Sequence, residues 1–217
     1  RTASYFWVGS ETAIDGRQPS IWKKFDSSVP YKDRADSVIA WLQLPEAKRP
    51  HLVMWYIEEP DAAGHGYTPD SLPTYQMVEK LDSVLHHFFN EARKLEQFEQ
   101  FDFILLSDHG MATYYPENYV NLYDYLPIDS FRYVFEGTPT MLYPNESYLE
   151  TAYEKLQSVP NVTVYKRDEV PAQFVYGTNP RIADLIVLPD VGTAVQFRAE
   201  SSPKLGGAPG YDNFASE

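Results

Sequence analysis

Two short segments of this sequence each carry one aspartate and one histidine, with a glycine next to the histidine. They are Asp61-Ala62-Ala63-Gly64-His65 and Asp108-His109-Gly110. Each follows an apolar run: Leu-Val-Met-Trp-Tyr-Ile at 52–57 before the first, Phe-Ile-Leu-Leu at 103–106 before the second. Carboxylate oxygen and imidazole nitrogen are the donors zinc accepts when thiolates are absent, and this sequence has no cysteine. Two such pairs at neighbouring strand ends could hold two cations about 3.5–4 Å apart, the arrangement used in two-metal phosphoryl transfer. A lone Asp or His at a strand end most often caps a helix or hydrogen-bonds a loop, so spacing alone leaves the capping and metal readings both open. The other histidines read as structural or surface residues. His51 precedes a strand, and His86 and His87 lie mid-helix without an acidic partner in a turn segment.

The elements that must position these groups follow from the hydrophobic pattern. The runs at 52–57 and 103–106 read as buried parallel strands, because both faces are apolar. Between them, Met77, Leu81, Val84, Leu85, Phe88, Phe89, Ala92 and Leu95 recur near a 3.6-residue period, which predicts a helix over about 69–96. Pro30 is expected to open an earlier helix at its first position, with Val38, Trp41 and Leu42 on one face. Ser147 and Glu150 have capping-box spacing ahead of Leu149, Ala152, Tyr153 and Leu156. Further strands are predicted at 162–165 and 183–188. Strand, helix, strand in this order implies parallel pairing in an α/β sheet, where ligands bind beyond the carboxyl ends of the strands.

Composition narrows the field further. The 217 residues carry 31 acidic and 18 basic side chains, a net charge of −13. That balance argues against a general nucleic-acid-binding role, since polyanions are repelled along most of the surface. Hydrophobic residues at 43% exclude wholesale disorder, and the missing cysteines exclude disulfide scaffolds and thiol chemistry. No run approaches the roughly 18 apolar residues that span a bilayer.

At these residues the sequence resembles the nucleotide pyrophosphatase/phosphodiesterase family of the alkaline phosphatase superfamily. The matching stretches are Tyr-Phe-Trp-Val-Gly-Ser-Glu at 5–11, Phe-Asp-Ser-Ser-Val-Pro-Tyr at 25–31, Tyr-Ile-Glu-Glu-Pro-Asp-Ala-Ala-Gly-His at 56–65 and Leu-Ser-Asp-His-Gly-Met at 106–111. Near the end, Gly-Ala-Pro-Gly-Tyr-Asp-Asn at 207–213 matches the family's Gly-x-His-Gly-Tyr-Asp-Asn. The resemblance implies an α/β, alkaline-phosphatase-like fold with a mostly parallel central sheet flanked by helices. It implies two zinc ions, one bound by Asp61 and His65 and the other by Asp108 and His109. Tyr56 and Phe25 match aromatics that pack against the substrate's base or head group, and Trp7 and Glu11 match residues lining the same pocket. Ordinary core packing is the alternative reading of these aromatics.

Two departures from the family pattern stand out. The family's nucleophilic Thr, an Asp ligand and an oxyanion-supporting Asn lie upstream of the Phe-Trp-x-Gly segment. On this reading residues 1–217 are a partial phosphodiesterase catalytic domain, with the nucleophile segment and the C-terminal end outside the chain and little turnover by the chain alone. A third ligand of the first zinc is the family's His at the position that is Pro209 here, and proline offers a metal no donor.

The reaction so implied is hydrolysis of a phosphodiester or pyrophosphate bond in a nucleotide or similar small ester, in an extracytoplasmic protein and without long nucleic acid. Asn145-Glu146-Ser147 and Asn161-Val162-Thr163 are glycosylation sequons, a signal that also arises by chance. Two other readings stay open: a degenerate member kept as a binding or interaction module, and a phosphomonoesterase or phospholipid head-group hydrolase on the same scaffold. Membrane contact and oligomeric state are not addressed by the sequence.

Overall fold

The computed structural model describes residues 1–200 and 204–215. The chain divides into two compact units, residues 1–62 with 75–106 and residues 63–74 with 107–217.

In the first unit, strand β1 (Thr2–Tyr5) is central, flanked by β2 (Ile21–Lys23), before helix α1 (Tyr31–Leu42) and strand β3 (Leu52–Trp55). The order is β2-β1-β3 and both pairings are parallel, with Ala3 opposite Ile21 and Val53. Helix α2 (Asp61–Tyr67) begins here and belongs from Ala63 on to the second unit, whereas the long helix α3 (Leu72–Ala92) belongs to the first from Tyr75 on and is shorter at both ends than the pattern suggests. Val84, Phe88 and Ala92, spaced four apart on α3, are buried in one cluster with Val38, Ile39 and Leu42 of α1 and Tyr5 and Phe6. This is the expected amphipathic packing of helices on a sheet. Pro30 occupies the N-cap rather than the first helical position, with ψ at 140°. A residue at that ψ is still outside the helix.

The run at 103–106 departs from expectation. It is not a buried strand: no described backbone pairs with it, and Ile104, Leu105 and Leu106 are 83%, 79% and 71% exposed. Phe103 alone is anchored, its ring 5.1 Å from Phe89 and 6.0 Å from Phe88. An apolar run becomes a buried strand only where a neighbour covers both its edges and its faces, and here none of the described strands lies alongside. The same holds in part for β3, an edge strand whose Leu52 is 54% exposed.

The second unit holds β4 (Ala112–Tyr114), β5 (Tyr119–Asn121), β6 (Phe131–Phe135), β7 (Thr140–Pro144), α4 (Leu149–Leu156), β8 (Val162–Lys166), β9 (Leu185–Pro189), β10 (Ala194–Gln196) and β11 (Gly206–Ala208). The strands predicted at 162–165 and 183–188 form as β8 and β9. They pair antiparallel in a four-stranded sheet ordered β6-β7-β9-β8, whereas β5 and β10 pair parallel. Leu142, Leu185 and Val187 meet Ala152 and Leu156 of α4 in its core. The capping box does not form: Tyr148 is the N-cap and Ser147 belongs to a preceding 3-10 turn, so no side chain caps α4.

Candidate functional site

The residues of the first unit expected to line a substrate pocket are set by the chain reversal after β1. Phe6 adopts φ of 67°, an outlier for a bulky residue. The turn buries Phe6 and leaves the Trp7 ring 42% exposed. Trp7 donates its backbone N–H to Ser4 Oγ at 3.2 Å, and its carbonyl accepts from Ser10 N–H at 2.9 Å. The Trp7 and Tyr56 rings meet edge to face at 6.3 Å. Phe25, itself 46% exposed, touches Phe6 at 5.5 Å. Trp7 with Tyr56 and Phe6 with Phe25 thus form two separate aromatic pairs, carried by adjacent residues of the same turn. Glu11 sits apart on an exposed turn, with its backbone carbonyl accepting from Gln18 Nε2 at 2.7 Å.

Below these rings lies a group that the sequence reading passed over. Arg34 is fully buried, and its guanidinium forks onto Glu58, Nη1 to Oε2 at 2.5 Å and Nη2 to Oε1 at 3.0 Å. Burial is the largest single influence and pushes the Glu58 carboxyl up, but the Arg34 hydrogen bonds and charge, a backbone hydrogen bond and the Tyr31 hydroxyl together hold it below the ordinary carboxylate range. Tyr31, whose hydroxyl reaches Glu58 Oε1 at 3.4 Å, is pushed up to about 12, by burial first and then by the Glu58 and Glu59 charges. Arg34 shares the face of α1 with Val38, four residues on, and a cation on an apolar face was the signal available in the sequence.

Asp61 opens α2 directly after a cis Glu59-Pro60 bond, and His65 follows four residues later on the same helix, the spacing that puts two side chains on one face. In the second unit His65 Nδ1 lies 2.7 Å from the Gly207 carbonyl. A carbonyl only accepts, so Nδ1 is the donor here, and in the neutral ring that leaves Nε2 as the nitrogen able to ligate a metal. His109 repeats the pattern, with Nδ1 donating to the Gly110 carbonyl at 2.9 Å. Its Nε2 stands 3.7 Å from Asp108 Oδ2. Carboxylate oxygen and imidazole nitrogen are donors that a divalent cation would accept, so this pair fits the chemistry of such a site. Among the described residues no group of three or more His, Cys, Asp or Glu gathers as a metal site.

One strand pair organises this region. β11 runs antiparallel to β4, with Ala208 opposite Ala112 and Gly207 opposite Thr113. This brings the backbone that orients His65 against the strand that follows His109. Side chains are excluded from the crossing: a Cβ on Gly207 would lie 2.5 Å from the Gly64 carbonyl oxygen and 2.7 Å from Met111 Sδ. Pro209 comes immediately after β11.

Of the remaining histidines, His87 does have an acidic partner, from another helix: its Nε2 is 2.6 Å from Asp36 Oδ1 of α1. His86 Nε2 lies 2.8 Å from Asn90 Nδ2.

The family model described as Type I phosphodiesterase / nucleotide pyrophosphatase matches residues 1–212. The chain belongs to this family. Among curated relatives, human ectonucleotide pyrophosphatase/phosphodiesterase family member 5 is 30% identical over 212 residues, covering 97% of this chain and 44% of the relative. Venom phosphodiesterase 2 of Crotalus adamanteus is 30% identical over 236 residues, covering 98% of this chain and 27% of the relative. The solved structure of murine ectonucleotide pyrophosphatase/phosphodiesterase 5 superposes with a TM-score of 0.83 at 27% identity, covering 98% of this chain and 56% of that one. An inactive variant of the murine protein, solved in complex with AMP, superposes equally well. The chain thus spans about half or less of the length of these relatives. Its fold class is the expected alkaline-phosphatase-like α/β. Pro209 follows directly on the β11–β4 pairing, which is regular from Gly206 to Ala208.

Proposed function

We propose that this chain is part of the catalytic domain of a zinc-dependent phosphodiesterase that hydrolyses nucleotides or similar small phosphate esters. The observation that carries the reading is the shared placement of His65 and His109, each with Nδ1 at hydrogen-bond distance of a backbone carbonyl, which in the neutral ring makes Nε2 the ligating nitrogen. Asp61 and His65 are the proposed ligands of one cation, Asp108 and His109 those of the other. Zinc, when bound, would supply charge neutralisation on the phosphoryl oxygens and a lowered pKa at an oxygen nucleophile. The chain's own residues hold the cations, and the exposed Trp7 and Phe25, with the half-buried Tyr56 beside Trp7, offer a nucleobase a stacking surface. No residue of this chain is assigned as nucleophile. AMP in the murine relative's complex supports a mononucleotide-sized substrate. The ectonucleotide names of the relatives support an extracytoplasmic location; no helix among the described residues is long and apolar enough to cross a membrane.

The test uses the full-length protein with p-nitrophenyl thymidine 5′-monophosphate. Hydrolysis is expected to stop on chelation and return with zinc. Alanine at Asp61, His65, Asp108 or His109 is expected to lower kcat/KM by more than about 100-fold, beyond the 10- to 100-fold typical of groups that only support a ligand. Turnover that survives chelation and all four substitutions would overturn the proposal. Pro209 favours a second reading, a binding module with a degenerate first cation site. That reading gains if Pro209→His restores neither zinc affinity nor activity.

A further inference from the structure

The Arg34 guanidinium touches three separate segments of the first unit. Besides the fork onto Glu58, its Nε donates to the Val29 carbonyl at 2.9 Å and Nη2 to the Ser27 carbonyl at 3.3 Å. Its Cζ lies 4.9 Å from the centre of the Phe6 ring and 4.5 Å from that of Tyr31. Each segment it touches bears a residue of the proposed substrate or cation site. Phe6 precedes Trp7, Ser27 and Val29 follow Phe25, and Glu58 lies between Tyr56 and Asp61.

Burying an ion pair is a poor way to gain stability, since well-packed apolar groups of similar volume often serve as well or better. What a planar fork adds is direction. It fixes a carboxylate and two carbonyls in one plane while presenting its own faces to aromatic rings. Lysine cannot replace it, because a single ammonium has neither the fork nor the plane.

We propose that Arg34 is a positioning residue, and that the buried Arg34–Glu58 pair sets the Tyr56–Asp61 loop against the Phe25 and Trp7 segments so that the base-stacking face is held in register. The proposal rests on the phosphodiesterase reading for its consequence in binding, but the linkage itself can be measured without any turnover.

Hydrogen exchange of the full-length protein provides that measurement. Arg34→Lys is expected to speed amide exchange by about tenfold or more in both 26–29 and 56–61, leaving the buried turns of α1 and α3 at wild-type rates. In the same variant the KM for p-nitrophenyl thymidine 5′-monophosphate is expected to rise about 10- to 100-fold, with kcat changed less, the scale of a misplaced binding group. Because Arg34→Lys alone could simply loosen the fold, Arg34→Met with Glu58→Leu is the second variant. It is expected to recover wild-type thermal stability while AMP, titrated by its quenching of tryptophan fluorescence, still binds at least tenfold more weakly. Wild-type exchange in both loops, exchange raised equally throughout α1 and α3, or wild-type AMP affinity in the stable double variant would each overturn the proposal. If native protein neither binds nor hydrolyses nucleotide while the two loops still loosen together, the positioning role stands and the phosphodiesterase reading falls.

Discussion

Replacing Gly207 by alanine tests how the histidine at the proposed cation site is oriented. Gly207 has an ordinary negative φ, so alanine brings no backbone strain and its effect is purely steric. The new Cβ would stand 2.5 Å from the Gly64 carbonyl oxygen, where ordinary contact begins at 3.4 Å. β11 must therefore retreat by about 0.9 Å, because its obstacle is α2 backbone and not the pliable end of a side chain. Carried along the His65–Gly207 hydrogen bond, that retreat stretches 2.7 Å to about 3.6 Å, too long for a hydrogen bond. Overpacking of this kind costs about 1–3 kcal/mol, and a chain of this length loses about 2–4 °C of Tm per kcal/mol. The loss of the carbonyl that fixes the His65 tautomer is expected to weaken zinc binding about 10- to 100-fold. Gly66→Ala is the control, since nothing lies within 4 Å of its Cβ and alanine gains up to about 1 kcal/mol over glycine in a helix. Zinc titration calorimetry and thermal unfolding of both variants decide the matter. Wild-type zinc affinity and Tm in Gly207→Ala would refute the account of how His65 is held.

Two further expectations concern packing and pH. Leu142→Ala, at a fully buried position in the four-stranded sheet, is expected to cost about 2–5 kcal/mol in urea unfolding of the chain. Ile104→Ala, at an 83% exposed position, is expected to cost less than about 0.5 kcal/mol, and equal losses would refute the exposed placement of 103–106. Tyr31 and Tyr211 are both raised to about 12, burial being the first cause in each. A raised phenol pKa favours the neutral form in the folded state, so this stabilisation is full below the unfolded value near 10 and is lost as pH rises from about 10 to about 12. Alkaline titration followed by tyrosinate absorbance is expected to reveal a late class of phenols, whereas a single midpoint near 10 in the folded protein would contradict it.

Sequence alone determined the residue types that can hold a cation, the order of the family's motifs, and the helices whose apolar period is strong. Asp61, His65, Asp108 and His109 stood out as candidates because few residue types bind metal once cysteine is absent, and α1 and α3 were legible because their buried faces repeat locally. Tertiary structure decided everything that depends on a distant partner. The run at 103–106 has the composition of a buried strand and lies exposed, since no described strand pairs with it. The predicted strand at 183–188 pairs antiparallel to its neighbours because pairing direction is set by where the chain returns, which no single strand encodes. His87 meets an acid 51 residues away and His65 a carbonyl 142 residues away. Arg34 was visible as a cation on an apolar helix face, but only the fold shows it gripping Glu58, Ser27 and Val29 at once. Periodicity records which face of an element is buried; the groups that face it from elsewhere in the chain leave no local mark.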